Sequence, residues 1–254
     1  MARIQRVDLD GRQRHALERD GQWHELDGDL FGTYRAGATL GEAGDLVRVL
    51  APVSPSKIVA VGLNYRDHAQ EMGKPLPSEP LIFLKPSTAV IGPGDPIVVP
   101  PGAGRVDHEA ELGIVIGRTA RNVPAARALD HVLGLTCVND VTARELQSRD
   151  VQFTRAKGFD TFAPIGPAIV TGLDASGLDI EASVNGQRRQ ASNTRELIFP
   201  IDRLIEFISA VMTLLPGDVI ATGTPSGVGP IVPGDRVAVR VAGIGELVNE
   251  VVAD

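Results

Sequence analysis

The chain has 254 residues, which suffices for one large β-rich domain or for one domain with a small appendage. Its 25 Lys and Arg residues against 32 Asp and Glu residues leave a formal net charge of −7. This charge argues against nucleic acid and anionic membrane surfaces as partners, because both attract basic proteins. The single cysteine, Cys137, excludes a disulfide framework and a cysteine-based zinc site.

The N-terminal segment, MARIQRVDLDGRQ, is charged and has no apolar core, so we expect no signal peptide and a cytoplasmic protein. Over residues 1–50, polar and apolar residues alternate around Asp-Gly pairs at 10–11, 20–21 and 27–28. Asp-Gly between alternating runs is a strong hairpin signal. We therefore predict a small N-terminal β-meander as a domain over residues 1–52, followed by a second domain over residues 53–254.

The second domain is predicted to consist mainly of strands. A strand at 58–61 leads into GLNYRDHAQE at 62–71, and from residue 81 onward short apolar runs alternate with Gly/Pro turns. The tripeptide Pro-Gly-Asp stands at 93–95, 216–218 and 233–235. Each copy suits a type II turn, in which glycine supplies the positive φ, so shared turn chemistry explains the recurrence better than an internal repeat.

Three segments are predicted to be helical, at 123–132, 141–150 and 201–215. The second follows Asp140 and contains Thr142-x-x-Glu145, a candidate capping box. The third carries an apolar stripe at helical spacing, formed by Ile201, Leu204, Ile205, Ile208, Met212 and Leu215. Many strands, few helices and no βαβ alternation favour a mainly β (α+β) fold over a Rossmann fold.

The stretch RVDHEAELGIVIG at 105–117 predicts a buried strand with acids at its entrance. Glu109 and Glu111 point to the same face, because side chains alternate along a strand. Two buried carboxylates repel each other unless a cation compensates them. Asp140, which ends the next apolar strand, is the third candidate ligand. An all-carboxylate set without cysteine or paired histidine favours Mg²⁺ or Mn²⁺ over zinc.

Each of these acids also has an interpretation without a metal. Glu109 and Glu111 could form an ordinary solvated strand end, since charged side chains are mostly exposed. Asp140 could be the N-cap of the helix that follows it. The sequence leaves both alternatives open.

His68 and Glu71 form the candidate catalytic pair. If their segment is helical, they are i,i+3 neighbours, and a carboxylate that holds an imidazole fixes its tautomer and raises its basicity, as a general base requires. The alternative is a surface pair without function. His108 adjoins the acids in sequence but should point to the other face of the strand.

Arg144 and Gln147 share one face of the helix after Asp140, and Lys157 follows in the stretch RAKGFD. As functional groups, these cations would grip the carboxylates of an anionic substrate, the arginine with two parallel hydrogen bonds. As structural groups, they would be ordinary solvated charges.

Six stretches together resemble the fumarylacetoacetate hydrolase family, and in order and spacing they cover roughly residues 55–254. They are GLNYRDHA at 62–69, FLKPS at 83–87, DHEAEL at 107–112, NDVTARELQ at 139–147, KGFD at 157–160 and TGTPSGVG at 222–229. The resemblance implies a mixed β-sandwich roll with few short helices as the catalytic domain, usually in a homodimer.

The resemblance also implies roles for nine residues. It matches Glu109, Glu111 and Asp140 to metal ligands, His68 and Glu71 to a catalytic dyad, Gln147 and Lys157 to polar catalytic groups, and Arg144 and Thr224 to the substrate-binding pocket. It gives no role to Lys85, although this residue lies in a matched stretch.

The activity implied is that of an enzyme dependent on Mg²⁺ or Mn²⁺, acting on a small anionic 2-oxo acid or its enol through a metal-stabilised enolate. The first expectation is that the chain is a 2-hydroxyhepta-2,4-diene-1,7-dioate isomerase of aromatic catabolism. The alternatives are an acylpyruvate C–C hydrolase and an oxaloacetate decarboxylase, and Leu63 disfavours the acylpyruvase branch, which often has arginine there. A non-catalytic, metal-stabilised binding domain is the alternative of another class.

Overall fold

A computed structural model describes residues 1–42 and 48–254, and this part of the chain forms twenty strands, four α-helices and three 3₁₀-helices. The strands are β1 (Ala2–Leu9), β2 (Arg12–Arg19), β3 (Gln22–Gly28), β4 (Tyr34–Glu42), β5 (Arg48–Leu50), β6 (Lys57–Gly62), β7 (Leu81–Pro86), β8 (Val90–Ile91), β9 (Ile97–Val99), β10 (Val106–His108), β11 (Ala110–Ile116), β12 (Val132–Asn139), β13 (Thr142–Ala143), β14 (Ala163–Thr171), β15 (Asp179–Val184), β16 (Gln187–Asn193), β17 (Val219–Ala221), β18 (Gly229–Ile231), β19 (Arg236–Val241) and β20 (Gly245–Ala253). The helices are α1 (Arg66–Glu71), α2 (Arg144–Asp150), α3 (Thr154–Lys157) and α4 (Ile201–Val211), with 3₁₀-helices at Ser87–Ala89, Ala125–His131 and Thr194–Glu196. Among the described residues, no helix has the length and apolar character needed to cross a membrane.

Three sheets make up the fold. The largest has twelve strands, in the order β4-β3-β2-β1-β14-β12-β11-β17-β6-β7, with β5 paired to β1 and β8 paired to β14. A five-stranded sheet has the order β16-β15-β19-β20-β9, and a three-stranded sheet has the order β13-β10-β18. The largest sheet is mixed, because β17 runs parallel to β6 and antiparallel to β11. The predicted mainly β fold with few short helices is confirmed.

The main core lies between the twelve-stranded and the five-stranded sheet. Leu112 and Ile114 of β11 belong to one buried cluster with Ile180 of β15 and Val239 of β19. Val115, on the opposite face of β11, belongs to a second cluster. All seven residues of β11 are buried because both faces of the strand are covered, which explains its continuous apolar run. The acids at its start are therefore attached to a central, well-packed strand.

The N-terminal meander is formed by β1 to β4, and two of its predicted turns are confirmed. The Asp-Gly pairs at 10–11 and 20–21 connect consecutive antiparallel strands. All four residues of these turns have positive φ, between 53° and 78°. Positive φ at both central positions is the signature of the type I′ turn, which matches the twist of the flanking strands.

The third predicted turn is wrong. Asp27 lies inside the β3–β4 ladder, where it pairs with Arg35, and residues 29–33 reverse the chain instead. In this longer turn the Asp29 carboxylate accepts a hydrogen bond from the Phe31 N–H (3.0 Å). An aspartate that bonds to the backbone two residues ahead forms its own turn, and this displaces the reversal beyond the Asp-Gly pair.

The meander is continuous with the largest sheet. Ile4 of β1 pairs with Ile169 of β14, and both residues belong to the same buried cluster. The predicted N-terminal domain includes residues 43–47, which lie outside the described residues. A domain boundary after residue 52 stays a prediction.

The predicted helix at 201–215 is shorter in the structure, because α4 ends at Val211. Ile201, Leu204, Ile205 and Ile208 of the predicted stripe are buried, whereas Leu215 is exposed. The chain leaves the helix because Leu214 forms two backbone hydrogen bonds with Ala120, of 2.9 and 3.0 Å. The predicted helix at 123–132 is a 3₁₀-helix over Ala125–His131.

The three Pro-Gly-Asp turns share one hydrogen-bond pattern. Each glycine has positive φ, as the type II turn requires. In each turn the aspartate carboxylate accepts a hydrogen bond from the backbone N–H three residues earlier, at a distance of 2.8 or 2.9 Å. The pairs are Asp95 with Gly92, Asp218 with Leu215, and Asp235 with Val232. The aspartate therefore closes the turn, which explains why the same tripeptide recurs.

We predict that Asp218→Ala lowers the free energy of unfolding by about 3 kcal/mol, measured by urea denaturation. Asp218 is fully buried and also accepts hydrogen bonds from Ser56 N–H (3.0 Å) and Lys57 N–H (3.2 Å), so its loss leaves several donors unsatisfied. Asp235→Ala, which removes the same turn contact at a half-buried position, is the control and should cost about 1 kcal/mol or less. Equal losses for the two variants would contradict this explanation.

Candidate metal centre and catalytic pair

Three buried carboxylates, here called the acid cluster, meet at one end of β11 and β12. Glu109 lies in the break between β10 and β11, Glu111 is the second residue of β11, and Asp140 follows β12. Antiparallel pairing puts Ala110 opposite Asn139, and the Asp140 N–H donates to the Glu109 carbonyl (2.9 Å). One carboxylate oxygen from each acid lies within 4.8 Å of the other two. The register of one ladder therefore gathers acids from two segments of the sequence.

Two lysines and one arginine contact two of the three acids. Lys157, at the end of α3, contacts Glu109 Oε2 (2.8 Å) and Asp140 Oδ2 (2.5 Å). Lys85, from β7, contacts Asp140 Oδ1. Arg144, from α2, contacts Glu109 Oε1 (2.6 Å). Glu109 and Asp140 thus each contact two cationic side chains.

The pKa values of the two glutamates are shifted in opposite directions. Burial raises the pKa of Glu109, but the charges of Lys157 and Arg144 outweigh this effect and lower that pKa to about 2. Burial, together with the negative charges of Asp140 and Glu109, raises the pKa of Glu111 well above its usual range. Glu111 is therefore the acid whose negative charge is least compensated by the protein.

The surroundings of Glu111 fit a divalent cation. Its Oε2 accepts a hydrogen bond from the Gly223 N–H (2.8 Å), a neutral donor, and no Lys or Arg among the described residues forms an ion pair with it. Hard carboxylate oxygens without sulfur or imidazole suit Mg²⁺ or Mn²⁺. The acid cluster could therefore hold such an ion. The alternative of a solvated strand end is wrong, because Glu109 and Glu111 are 6% and 1% exposed.

Asp140 is not a helix N-cap either. Residues 142–143 pair with β10, so α2 begins only at Arg144, and its N-cap position makes no side-chain hydrogen bond. Glu145, the second member of the predicted capping box, accepts instead from the Arg105 N–H (3.3 Å). The predicted helix start and capping box are therefore wrong. The short strand moves the helix start away from Asp140 and leaves its carboxylate to the acid cluster.

His68 and Glu71 are paired in the structure, as expected from their spacing. Both lie on α1, where His68 Nδ1 is 3.0 Å from Glu71 Oε2. Because the Glu71 carboxylate can only accept a hydrogen bond, Nδ1 of His68 carries the hydrogen. In neutral His68 the free lone pair is then on Nε2, which is the nitrogen able to take up a proton. The side chain of His68 is 15% exposed and that of Glu71 is 45% exposed. The pair is therefore more accessible to solvent than the acid cluster.

One loop joins the pair to the acid cluster; we call residues 222–228, after β17, the glycine loop. The Gly223 N–H donates to Glu111, and the Gly227 N–H donates to Glu71 Oε1 (3.1 Å). Gly227 has a φ of +91°, and a Cβ there would lie 2.2 Å from a backbone oxygen of β16, so only glycine fits. The glycine loop therefore fixes both groups at once.

Arg144, Gln147 and Thr224, the other predicted residues, lie in the same network. Arg144 Nη1 donates to Gln147 Oε1 (2.7 Å), and the arginine side chain is 29% exposed. The Thr224 hydroxyl donates to the Ala110 carbonyl (2.9 Å) and accepts from Gln190 Nε2 (2.8 Å). Hydrogen bonds and ion pairs therefore connect all nine predicted residues, either directly or through the glycine loop. Their catalytic, binding and ligand roles stay predictions.

Two further residues of this network had no predicted role. Lys85 is fully buried, which lowers the pKa of its ammonium group. Lys85 lies two residues after Phe83 on an otherwise apolar strand, so the two side chains share one face. This spacing was the sequence signal that the lysine points inward. Gln190 is also fully buried, in a strand with three exposed residues at its start. No sequence pattern marks it, because its partners are distant in the chain.

The family model described as fumarylacetoacetate (FAA) hydrolase, C-terminal, matches residues 57–252. The chain belongs to the fumarylacetoacetate hydrolase family. Among solved structures, 2-hydroxyhepta-2,4-diene-1,7-dioate isomerase from Mycobacterium marinum is 44% identical, with a TM-score of 0.92 over 100% of this chain and 99% of that chain.

Two further family structures are similar. 5-Carboxymethyl-2-hydroxymuconate delta-isomerase from Mycobacterium smegmatis is 49% identical, with a TM-score of 0.91 over 99% of this chain and 100% of that chain. Fumarylacetoacetate hydrolase from psychrophilic Exiguobacterium antarcticum is 36% identical, with a TM-score of 0.90 over 100% of both chains. Family members with this fold are thus isomerases and hydrolases, so the chain is an enzyme of this family.

We predict that Glu111→Gln stabilises the metal-free protein at neutral pH. An acid whose folded-state pKa is raised contributes stability below its unfolded pKa of about 4.3, and this contribution is lost as the pH rises through the folded pKa. Thermal melts in a chelator should therefore show a Tm that falls with rising pH in the wild type and falls less in Glu111→Gln.

Added Mg²⁺ should raise the Tm of the wild type and leave that of Glu111→Gln nearly unchanged, because the substitution removes a candidate ligand. Glu250→Gln, at an exposed position on β20, is the matched control and should behave like the wild type in both melts. A metal-free wild type whose Tm does not depend on pH above pH 5 would contradict the assignment of an uncompensated charge to Glu111.

Proposed function

We propose that this enzyme uses a divalent cation, Mg²⁺ or Mn²⁺, to act on a small 2-oxo acid or its enol, with isomerisation of a 2-hydroxy-2,4-dienedioate as its reaction. The main observation in support is the glycine loop. Its N–H groups at Gly223 and Gly227 bind Glu111 of the acid cluster and Glu71 of the His68–Glu71 pair. The two isomerases among the similar structures support this choice of reaction.

The acid cluster would hold the cation through Glu109, Glu111 and Asp140. When bound there, a divalent cation supplies the positive charge that favours the enolate form of a 2-oxo acid. Arg144 would bind a substrate carboxylate, because its guanidinium is partly exposed beside the cluster. The Lys157 ammonium, held between Glu109 and Asp140, would add fixed positive charge next to the substrate oxygens.

The isomerisation then needs only the transfer of a proton. The enol hydroxyl of the substrate loses its proton as the C2–O bond becomes a carbonyl, and a carbon of the diene takes up a proton, so no atom is gained or lost overall. His68 Nε2 would carry the proton, since Glu71 occupies the Nδ1 side. The two acceptor oxygens of Glu71 are satisfied by His68 and Gly227, which keeps the imidazole in one orientation.

Aromatic rings stand beside the cluster and suit an unsaturated carbon chain. The Phe83 ring centroid lies 5.1 Å from Lys157 Nζ, and the Phe153 ring packs against Phe83 edge to face, with 5.4 Å between centroids. A conjugated diene is flat and apolar and gains contact area on such rings. These rings therefore support a dienedioate as the substrate.

Hydrolysis of a C–C bond in an acylpyruvate is the second candidate, supported by the similarity to fumarylacetoacetate hydrolase from Exiguobacterium antarcticum. In that reaction His68 Nε2 would take a proton from water, and the resulting hydroxide would attack the acyl carbonyl. The bond between the acyl carbon and C3 would then break, leaving a carboxylate and the enolate of a 2-oxo acid, and the enolate carbon would take up the proton held by His68. The homodimer and the cytoplasmic location stay predictions.

We predict that Glu109→Ala and His68→Ala separate cation binding from turnover. Glu109→Ala should abolish Mn²⁺ binding measured by calorimetry, because it removes one of three oxygen ligands. His68→Ala should retain that affinity and lose roughly 10²–10⁴-fold in kcat, the usual contribution of a general acid–base group. His24→Ala, a histidine in the N-terminal meander, is the control for both assays. Wild-type turnover in His68→Ala would exclude the pair as the proton carrier.

A panel of substrates with Mg²⁺ distinguishes the two candidate reactions. We expect turnover of a 2-hydroxy-2,4-dienedioate, followed by ultraviolet absorbance, to exceed that of acetylpyruvate, fumarylpyruvate and oxaloacetate. Faster cleavage of an acylpyruvate would replace the isomerase by the hydrolase proposal. Absence of turnover with all four, together with unfolding on chelation, would favour the non-catalytic metal-stabilised domain.

A further inference from the structure

We propose that Gln190 is a positioning residue of the active site, whose buried amide fixes the glycine loop between the acid cluster and the His68–Glu71 pair. Its effect on turnover rests on the proposed function, whereas its effect on the glycine loop can be measured without substrate. Gln190 lies on β16 of the five-stranded sheet, so this amide ties a second sheet to the site.

The Gln190 amide makes four hydrogen bonds, its full capacity. Its Oε1 accepts from the Ala110 N–H (2.9 Å) and lies 3.2 Å from His108 Nδ1. Its Nε2 donates to the Pro225 carbonyl (2.8 Å) and to the Thr224 hydroxyl oxygen (2.8 Å). The oxygen end thus binds the strand of the acid cluster, and the nitrogen end binds the glycine loop.

The hydrogen-bond partners of Gln190 determine which end of its amide is the oxygen and which is the nitrogen. A backbone N–H can only donate and a backbone carbonyl can only accept, so Ala110 must face the amide oxygen and Pro225 must face the amide nitrogen. Thr224 Oγ1 accepts from the same nitrogen, and its own hydrogen goes to the Ala110 carbonyl (2.9 Å). Thr224 therefore has no hydroxyl hydrogen left for a substrate and contributes to the site through the placement of its loop.

The two anchored residues lie between the two glycines that hold the site. Gly223 precedes Thr224, and its N–H holds Glu111; Gly227 follows Pro225 by two residues, and its N–H holds Glu71. A displacement of the anchored residues would turn both N–H groups away from their carboxylates. Gln190 therefore sets the position of a metal-ligand candidate relative to the proton carrier.

A buried amide can also be purely structural, and Asn249 is the matched example. Asn249 is 2% exposed, and its Nδ2 donates to the carbonyls of Gly92 and Asp95, each at a distance of 2.8 Å. It thus makes two donor bonds to backbone carbonyls at a turn that contains no predicted site residue. If Gln190 only stabilises the fold, its loss should resemble the loss of Asn249.

The experiment compares Gln190→Met with Asn249→Leu by hydrogen exchange of the Gly223 and Gly227 amides, at equal distance from each variant's Tm. We expect the protection of both amides to fall about tenfold in Gln190→Met, as loss of one hydrogen bond implies, and to stay at the wild-type value in Asn249→Leu. Unchanged protection in Gln190→Met would overturn the proposal. This readout does not depend on any substrate.

If Gln190→Met does not fold, Thr224→Val and Thr224→Ser keep the proposal testable. Thr224→Val preserves the volume but removes the hydroxyl that links Gln190 to the loop, so the protection of Gly223 and Gly227 should fall about fivefold or more. Thr224→Ser restores the hydroxyl and should restore protection. Equal protection in the valine and serine variants would overturn the proposal.

Turnover provides the second readout. With a dienedioate substrate and Mg²⁺, Gln190→Met should lose about 10–100-fold in kcat with KM within about twofold of the wild type, because the reacting groups are misplaced rather than removed. Asn249→Leu should keep the wild-type kcat. A wild type without turnover would contradict the proposed function but leave the exchange result intact, so the two failures are distinguishable.

Discussion

The burial of three carboxylates at one end of the β11–β12 ladder is the constraint on which the rest of the site depends. Repulsion between like charges grows as water is excluded, so such a cluster persists only with compensation. Compensation comes from Lys85 on β7, Lys157 on α3 and Arg144 on α2. These elements are far apart in the sequence, and their cationic side chains converge on the acid cluster.

The compensation is uneven, and the unevenness has a chemical consequence. Glu109 and Asp140 contact cationic side chains, whereas Glu111 contacts the neutral Gly223 N–H. A cluster neutralised completely by lysine and arginine would have little affinity for a metal ion. A cluster with one uncompensated acid at its rigid end has a charge that a divalent ion can satisfy. The buried β11, covered on both faces, supplies the rigidity.

The sequence predicted the parts of the site that local patterns encode. Strand alternation placed Glu109 and Glu111 together, and i,i+3 spacing paired His68 with Glu71. It could not predict the start of α2, because the competing partner of residues 142–143 is β10, more than thirty residues away. Gln190 was missed for the same reason, since its partners lie about 34 and 80 residues away. Tertiary pairing outweighs local propensity at these positions.

The isomerase and hydrolase reactions have one requirement in common, because both develop negative charge on a substrate oxygen that the site must stabilise. In the proposed mechanism, the acid cluster with its cation, Lys157 and Arg144 would stabilise this charge in both reactions, so these groups would not discriminate between the two. What would differ is the partner of His68 Nε2, the proposed proton carrier, which would be a substrate carbon in one reaction and a water molecule in the other. The deciding feature is therefore water access to α1, where His68 is the less exposed member of the pair. Exclusion of water by the substrate's own unsaturated chain against Phe83 would favour proton transfer over hydrolysis.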